Sequence, residues 1–113
     1  MAIDIETIRK LVALDESDPV PRFSLAQKLL EEDGSPEAIA EAETHLHFVI
    51  GASPDHIAAY YLRAQVLERQ GETDAAKIIL RQGMERAALA PEGSGQDLLP
   101  EMEDLMEELE AQD

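Results

Sequence analysis

Histidine is the residue type best suited to chemistry in this chain, and there are three: His45, His47 and His56. Glu41 with His45, and Glu43 with His47, are spaced i, i+4. On a helix each pair shares a face and could hold a metal. His45 and His47 lie two apart, so they would not face each other. The H-E-x-x-H pattern of zinc proteases, a calcium loop, a Gly-rich phosphate loop and a G-x-S-x-G elbow are all missing from the sequence. Cysteine is absent, which removes disulfides, thiolate metal sites, iron–sulfur ligation and a cysteine nucleophile. The expectation is a protein that is not an enzyme, with no cofactor and no metal, whose Glu–His pairs are helix-surface contacts. A metal-binding protein using His45, His47 and the neighbouring Glu side chains is the alternative from another class.

A second pattern repeats. Phe23 and Gln27 are i, i+4, and Tyr61 and Gln65 are i, i+4, with 38 residues between the two pairs. Each pair shares one helix face. An amide beside an aromatic ring suits a peptide ligand: the amide pairs with backbone groups and the ring packs a side chain. The alternative is that Phe23 and Tyr61 are inter-helix packing. Tyr60 falls on a different face from Tyr61 and is expected in the core.

The elements that must position these pairs are helices. The chain has 113 residues, one domain's worth, and is 44% hydrophobic and only 4% aromatic. No segment reads as a strand, and start and stop signals mark six helices. Asp4 caps the first, whose stripe is Ile8, Leu11 and Val12, with Ile3 and Ile8 spaced as a hydrophobic staple. Asp18-Pro19 opens the second, which carries Phe23, Ala26, Leu29 and Leu30 and stops at Gly34. Ser35-Pro36 opens the third, which stops at Gly51. Ser53-Pro54 opens the fourth, which stops at Gly71. Thr73 caps the fifth, which runs toward Pro91. Glu92-Gly93-Ser94-Gly95-Gln96 reads as a flexible linker. Asp97 caps the sixth, on which Leu98, Met102, Leu105 and Leu109 form one apolar face. Short connections favour sequential antiparallel packing.

The punctuation recurs at a period in the thirties. Ala26-Gln27 is followed 38 residues later by Ala64-Gln65, Gly34 is followed 37 later by Gly71, and Pro54 is followed 37 later by Pro91. A helix pair at this period signals a stacked array, because one pair does not cover its own apolar face. The residues resemble the tetratricopeptide repeat. One copy matches at Leu25, Ala26, Leu29, Ala42, Leu46, Val49 and Pro54, and the other at Tyr60, Ala64, Leu67, Ala76, Leu80, Gly83 and Pro91. Trp is missing, Arg63 replaces a large apolar residue and Arg22 replaces an aromatic one. The first copy carries about four extra residues around Gly34, relative to the period of such arrays.

The resemblance implies an all-α fold, an antiparallel helix-hairpin array of about six helices forming a superhelix. Residues 4–17 would be an N-terminal helix, 18–52 repeat one, 53–91 repeat two, 92–96 a linker and 97–111 a capping helix. It also implies a concave groove lined by the first helix of each repeat. On the matching positions that groove would hold Phe23, Gln27, Leu30, Tyr61, Gln65 and Glu68, with Arg69 at its edge. Members that clamp a C-terminal carboxylate use Lys, Arg and Asn there, so that ligand is not expected here. The implied role is a protein–protein interaction module binding a peptide or protein segment. The alternative is a self-associating scaffold, homodimeric or swapped through the sixth helix, whose arc is widened by Leu99 and Met106.

Charge narrows the partner. The chain has 9 basic and 25 acidic residues, a net of −16. Nucleic acid and anionic membranes want a basic face, so neither is expected. No apolar run approaches the ~20 residues of a membrane helix, and the opening residues lack the basic start and apolar run of a signal peptide. A soluble, cytoplasmic protein is expected. Residues 92–113 hold nine acidic residues and no Lys or Arg. That tail reads as a solvated outer face, as an attractor for a basic partner, or as part of an adaptation to high salt, where screening tolerates self-repulsion.

Overall fold

The computed structural model describes residues 3–91 and 95–112. The first four helices each begin where a side chain accepts a hydrogen bond from an amide of the first turn. Asp4 accepts a hydrogen bond from the Thr7 amide at 2.8 Å and starts α1 (Ile5–Leu14). Asp18 accepts from Val20 and starts α2 (Pro19–Lys28), with Pro19 in the first turn. Ser35 accepts from Ala38 and starts α3 (Pro36–Ala52). Then follow α4 (Ile57–Arg69), α5 (Thr73–Leu89), a 3-10 turn (Gln96–Leu98) and α6 (Leu99–Ala111). Among the described residues there is no strand.

Three expected starts and one stop differ. The fourth helix does not begin at Ser53-Pro54. Those residues form a turn closed by the His56 amide on the Ser53 carbonyl, and His56 itself caps α4 by accepting from the Ala59 amide at 3.2 Å. Thr73 is the first residue of α5 rather than its cap, and its hydroxyl reaches Gln112 on the last helix. Asp97 lies inside the 3-10 turn and caps nothing. Gly51 does not stop α3, which continues to Ala52 with Ser53 as its C-cap. Nothing crowds Gly51, and its backbone stays helical, so it acts as an ordinary helical residue.

The extra residues around Gly34 have a structural outlet. The chain widens into a π-helical turn at Leu29–Asp33 before Gly34, at φ 69°, ends it in the left-handed region. The widened turn keeps Leu29 and Leu30 buried while delivering the chain to the Ser35 cap.

The helices stack in chain order, α1 on α2, α2 on α3, α3 on α4, α4 on α5 and α5 on α6. This is the expected antiparallel hairpin array. Leu25, Leu29, Leu46 and Val49 fill the core between α2 and α3, and small residues let the helices close up: Ala26, Ala42, Ala59, Ala64 and Ala76 are all wholly buried. Among the described residues the core holds no buried polar residue.

The two arginines that break the repeat pattern are matched by partners. Arg63 makes a two-pronged ion pair with Glu43, Nε to both carboxylate oxygens at 3.0 and 3.1 Å, tying α4 to α3. Arg22 lies 4.0 Å over the Phe48 ring and donates to the Glu16 carbonyl at 2.8 Å. An ion pair and a cation–ring contact therefore stand where two apolar contacts are usual.

Candidate functional site

A groove of about 400 Å³ runs between α2 and α4. Phe23 and Gln27 come from α2, Leu30 and Glu31 from the π-helical turn, and Ala58, Tyr61, Leu62, Gln65 and Arg69 from α4. Leu98, from the 3-10 turn before α6, also lines it. The i, i+4 spacing brings each aromatic–amide pair onto one helix face, and the stacking of α2 beside α4 through their shared neighbour α3 sets the two faces side by side.

The floor is apolar and fixed. Leu30 is buried, and Phe23 packs against the His56 ring, centroids 4.5 Å apart and planes tilted by 45°. His56 is in turn held by its cap bond to the Ala59 amide. The walls are polar and free. Among the described residues neither the Gln27 nor the Gln65 amide has a hydrogen-bond partner, and the Tyr61 hydroxyl has none. Arg69 is partly committed: its guanidinium reaches the Leu30 carbonyl at 3.4 Å.

Six of the seven residues expected in the groove line it. Glu68 does not, because it accepts a hydrogen bond from the Gln112 side chain at 2.8 Å and faces the last helix. Of the four residues expected on the apolar face of the sixth helix, Met102, Leu105 and Leu109 are buried against Leu67, Leu80 and Ala87. Leu98 is only half-buried, in the groove. The helix therefore covers the open side of the α4–α5 hairpin and leaves the groove accessible. In the expected linker, residues 92–94 lie outside the described residues, as does most of the hinge that a helix swap would use. Gly95 packs against Ile57, and Gln96 donates to the Ala90 carbonyl at 2.6 Å.

The histidine pairs are drawn elsewhere. Glu41 takes Arg9 from α1, at 2.9 Å from Nη2, as well as His45 at 3.2 Å, and Arg22 approaches the other His45 nitrogen at 3.4 Å. Burial works against ionising Glu41, but the hydrogen bonds from Arg9 and His45 outweigh it and hold the carboxyl below its ordinary range. Glu43 is occupied by Arg63 rather than His47, which is exposed. Among the described residues no group of three or more His, Asp or Glu is gathered as a metal site would need.

One electrostatic feature was not read from the sequence. Burial first, then the carboxylates Glu101, Glu108 and Asp104, push the Tyr61 phenol up from its ordinary value. These acids form an i, i+3, i+7 stripe on exposed positions of α6. That spacing is visible in the sequence, beside the apolar stripe of the same helix. Its nearness to Tyr61 depends on how α6 docks. In an alkaline absorbance titration of the Tyr60→Phe variant, Tyr61 is expected to ionise above pH ~10, the ordinary tyrosine value. Glu101→Gln with Glu108→Gln should bring it part of the way back. A Tyr61 midpoint at or below the ordinary value would contradict the placement. The proton's contribution to stability is complete below the unfolded-state pKa and is lost as pH rises through the raised, folded-state value.

A family model described as tetratricopeptide repeat matches residues 35–94. Among solved structures, the chain is similar to the solution NMR structure of a tetratricopeptide repeat domain protein from Salinibacter ruber. The two share 29% sequence identity with a TM-score of 0.71, over 88% of this chain and 93% of that one. No curated protein matches the chain. No helix among the described residues is long and apolar enough to cross a membrane.

Proposed function

The chain belongs to the tetratricopeptide repeat family, whose domains are typically non-enzymatic and mediate protein–protein interactions, and on that premise we propose that it binds a partner's peptide segment in the groove between α2 and α4. The observation that carries this reading is the set of unpaired polar groups on a rigid apolar floor. Among the described residues the Gln27 and Gln65 amides and the Tyr61 hydroxyl have no partner, while Phe23 and Leu30 line the groove between them. A bound backbone would satisfy the amides, which each carry a donor and an acceptor. Its side chains would pack on Phe23, Tyr61 and Leu98.

The partner segment carries Lys or Arg. Glu31 lines the groove, and the α6 stripe Glu101, Asp104 and Glu108 acts on Tyr61 at its side. Among the described lining residues the cation is Arg69, which reaches toward the Leu30 carbonyl at 3.4 Å. A carboxylate ligand would meet repulsion with little to offset it, whereas a cationic one would be steered in and held in register. The interaction takes place in the cytoplasm, in keeping with a chain that has no cysteine.

Short synthetic peptides on an array, pairing Leu, Met or Phe with either Lys/Arg or Asp/Glu, test this. Wild-type protein should retain the apolar–basic set and not the apolar–acidic one. Retention should fade with added salt as exposed charges are screened. Tyr61→Ala with Gln65→Ala should weaken binding about 10- to 30-fold, the effect of losing one central aromatic anchor. Equal binding by wild type and the double variant, or a preference for acidic peptides, would refute the reading.

A further inference from the structure

The two ends of the helix stack are unlike. At the C-terminal end, α6 buries its apolar stripe and shows solvent a face with no exposed large hydrophobic residue. Residues 95–112 carry seven acidic side chains and no Lys or Arg. At the N-terminal end the outermost pair, α1 and α2, leaves an apolar cleft of about 610 Å³. The described residues include six large hydrophobic side chains that are exposed, and four of them (Ile3, Leu11, Leu14 and Val20) line this cleft. Leu14 is 81% exposed and Val20 70%. Stacked repeats normally close both ends with a polar surface, and such a concentration of exposed apolar groups marks an interface.

We propose that this end is covered by a second copy of the chain, in a two-fold symmetric pair that joins α1 and α2 of one copy to α1 and α2 of the other. Two observations select a second copy as the occupant. The first is shape. A two-fold contact must be self-complementary, and this face carries both parts: Leu14 and Val20 are largely exposed where they line the cleft, and the cleft itself lies between α1 and α2. The second is charge. Most of the molecule is strongly acidic, so two copies repel. Residues 3–28, however, hold five acidic side chains and four of the chain's nine basic ones, which makes this end nearly neutral. Pairing here sets the acidic α6 ends far apart, on opposite sides of the dimer. Head-to-tail stacking is disfavoured, because α6 offers the cleft no apolar knob. The surface is separate from the groove except at Gln27, which borders both, so the pairing stands or falls independently of the peptide reading.

Sedimentation equilibrium on the full chain, from micromolar to millimolar and at low and high salt, tests this. The wild type should approach twice the 12.5 kDa of one chain, and added salt should tighten the pair by screening the distant acids. Leu14→Gln with Val20→Glu should weaken pairing by about 100-fold or more, since the contact repeats about the axis and loses both anchors twice. Both side chains are exposed in the single chain, so circular dichroism should remain that of the wild type. Leu14→Met with Val20→Ile should pair like the wild type. A control at the other exposed apolar residues, Ile78→Gln with Leu89→Gln, should also pair normally. A monomer at every concentration and salt overturns the proposal. So does a dimer that survives Leu14→Gln with Val20→Glu, or one that is lost only in the Ile78, Leu89 control.

Discussion

Gly83→Leu is expected to prevent α4, α5 and α6 from packing, and Gly83→Ala to weaken them. Gly83 is buried in the middle of α5, where even a Cβ would stand 2.5 Å from the Tyr60 Cβ and 2.8 Å from the Met102 terminal methyl. Met102 could swing aside, because its methyl ends a flexible chain. The Tyr60 Cβ is fixed to the α4 backbone, and its ring is anchored by a hydroxyl bond to the Pro54 carbonyl at 2.6 Å. Replacing a helical Gly by Ala ordinarily gains ~1 kcal/mol. Overpacking a close-packed core costs about 1–3 kcal/mol and occasionally more, so the clash outweighs the gain. Leu adds three further carbons and should bring the loss to about 3 kcal/mol or more, a large share of a domain's ~5–15 kcal/mol. Urea unfolding reads both. A Gly83→Ala midpoint above wild type would mean that α4 and α5 do not approach as closely as described.

Met102→Ala is expected to cost about 2–5 kcal/mol, the range for truncating a large apolar side chain in a closed core. Met102 is wholly buried, reaches Gly83, and with Leu105 and Leu109 seals the side of the α4–α5 hairpin. The loss has a second consequence, because the same helix carries Glu101, Asp104 and Glu108 to the neighbourhood of Tyr61. Loosening α6 should therefore lower the Tyr61 pKa toward its ordinary value as well as lowering the urea midpoint. A variant that loses stability while Tyr61 titrates as before would separate the two roles of α6.

The parts of this structure legible in the sequence are those that depend on a few adjacent residues. Asp4, Asp18 and Ser35 cap their helices as expected, because an N-cap bond spans two or three residues and owes little to the rest of the fold. Gly34 and Gly71 end helices at positive φ for the same reason. The fourth helix starts three residues later than the sequence suggests because Ser53-Pro54 and His56 compete for one role, and the Tyr60 bond to the Pro54 carbonyl favours a turn before the helix. The groove pairs followed from helix geometry and the period. Glu68 did not, because its neighbour Gln112 lies 44 positions away. In the sequence the acid stripe on α6 carries no address, since its distance to Tyr61 is set by the docking of Met102 against Gly83. The partners of Arg63 and Arg22, Glu43 and Phe48, likewise come from a different helix.

The proposed role of the groove between α2 and α4 is to receive a basic peptide. The most direct measurement is amide chemical-shift mapping of the isotopically labelled chain, titrated with the tightest apolar–basic peptide from the array. Saturable shifts are expected, concentrated on Phe23–Leu30, Ala58–Arg69 and the first two turns of α6, with Gln27 and Gln65 side-chain amides among the largest. Shifts confined to the outer faces of α3 and α5, around His47, Ile78 or Leu89, with the two glutamine amides unmoved, would contradict it.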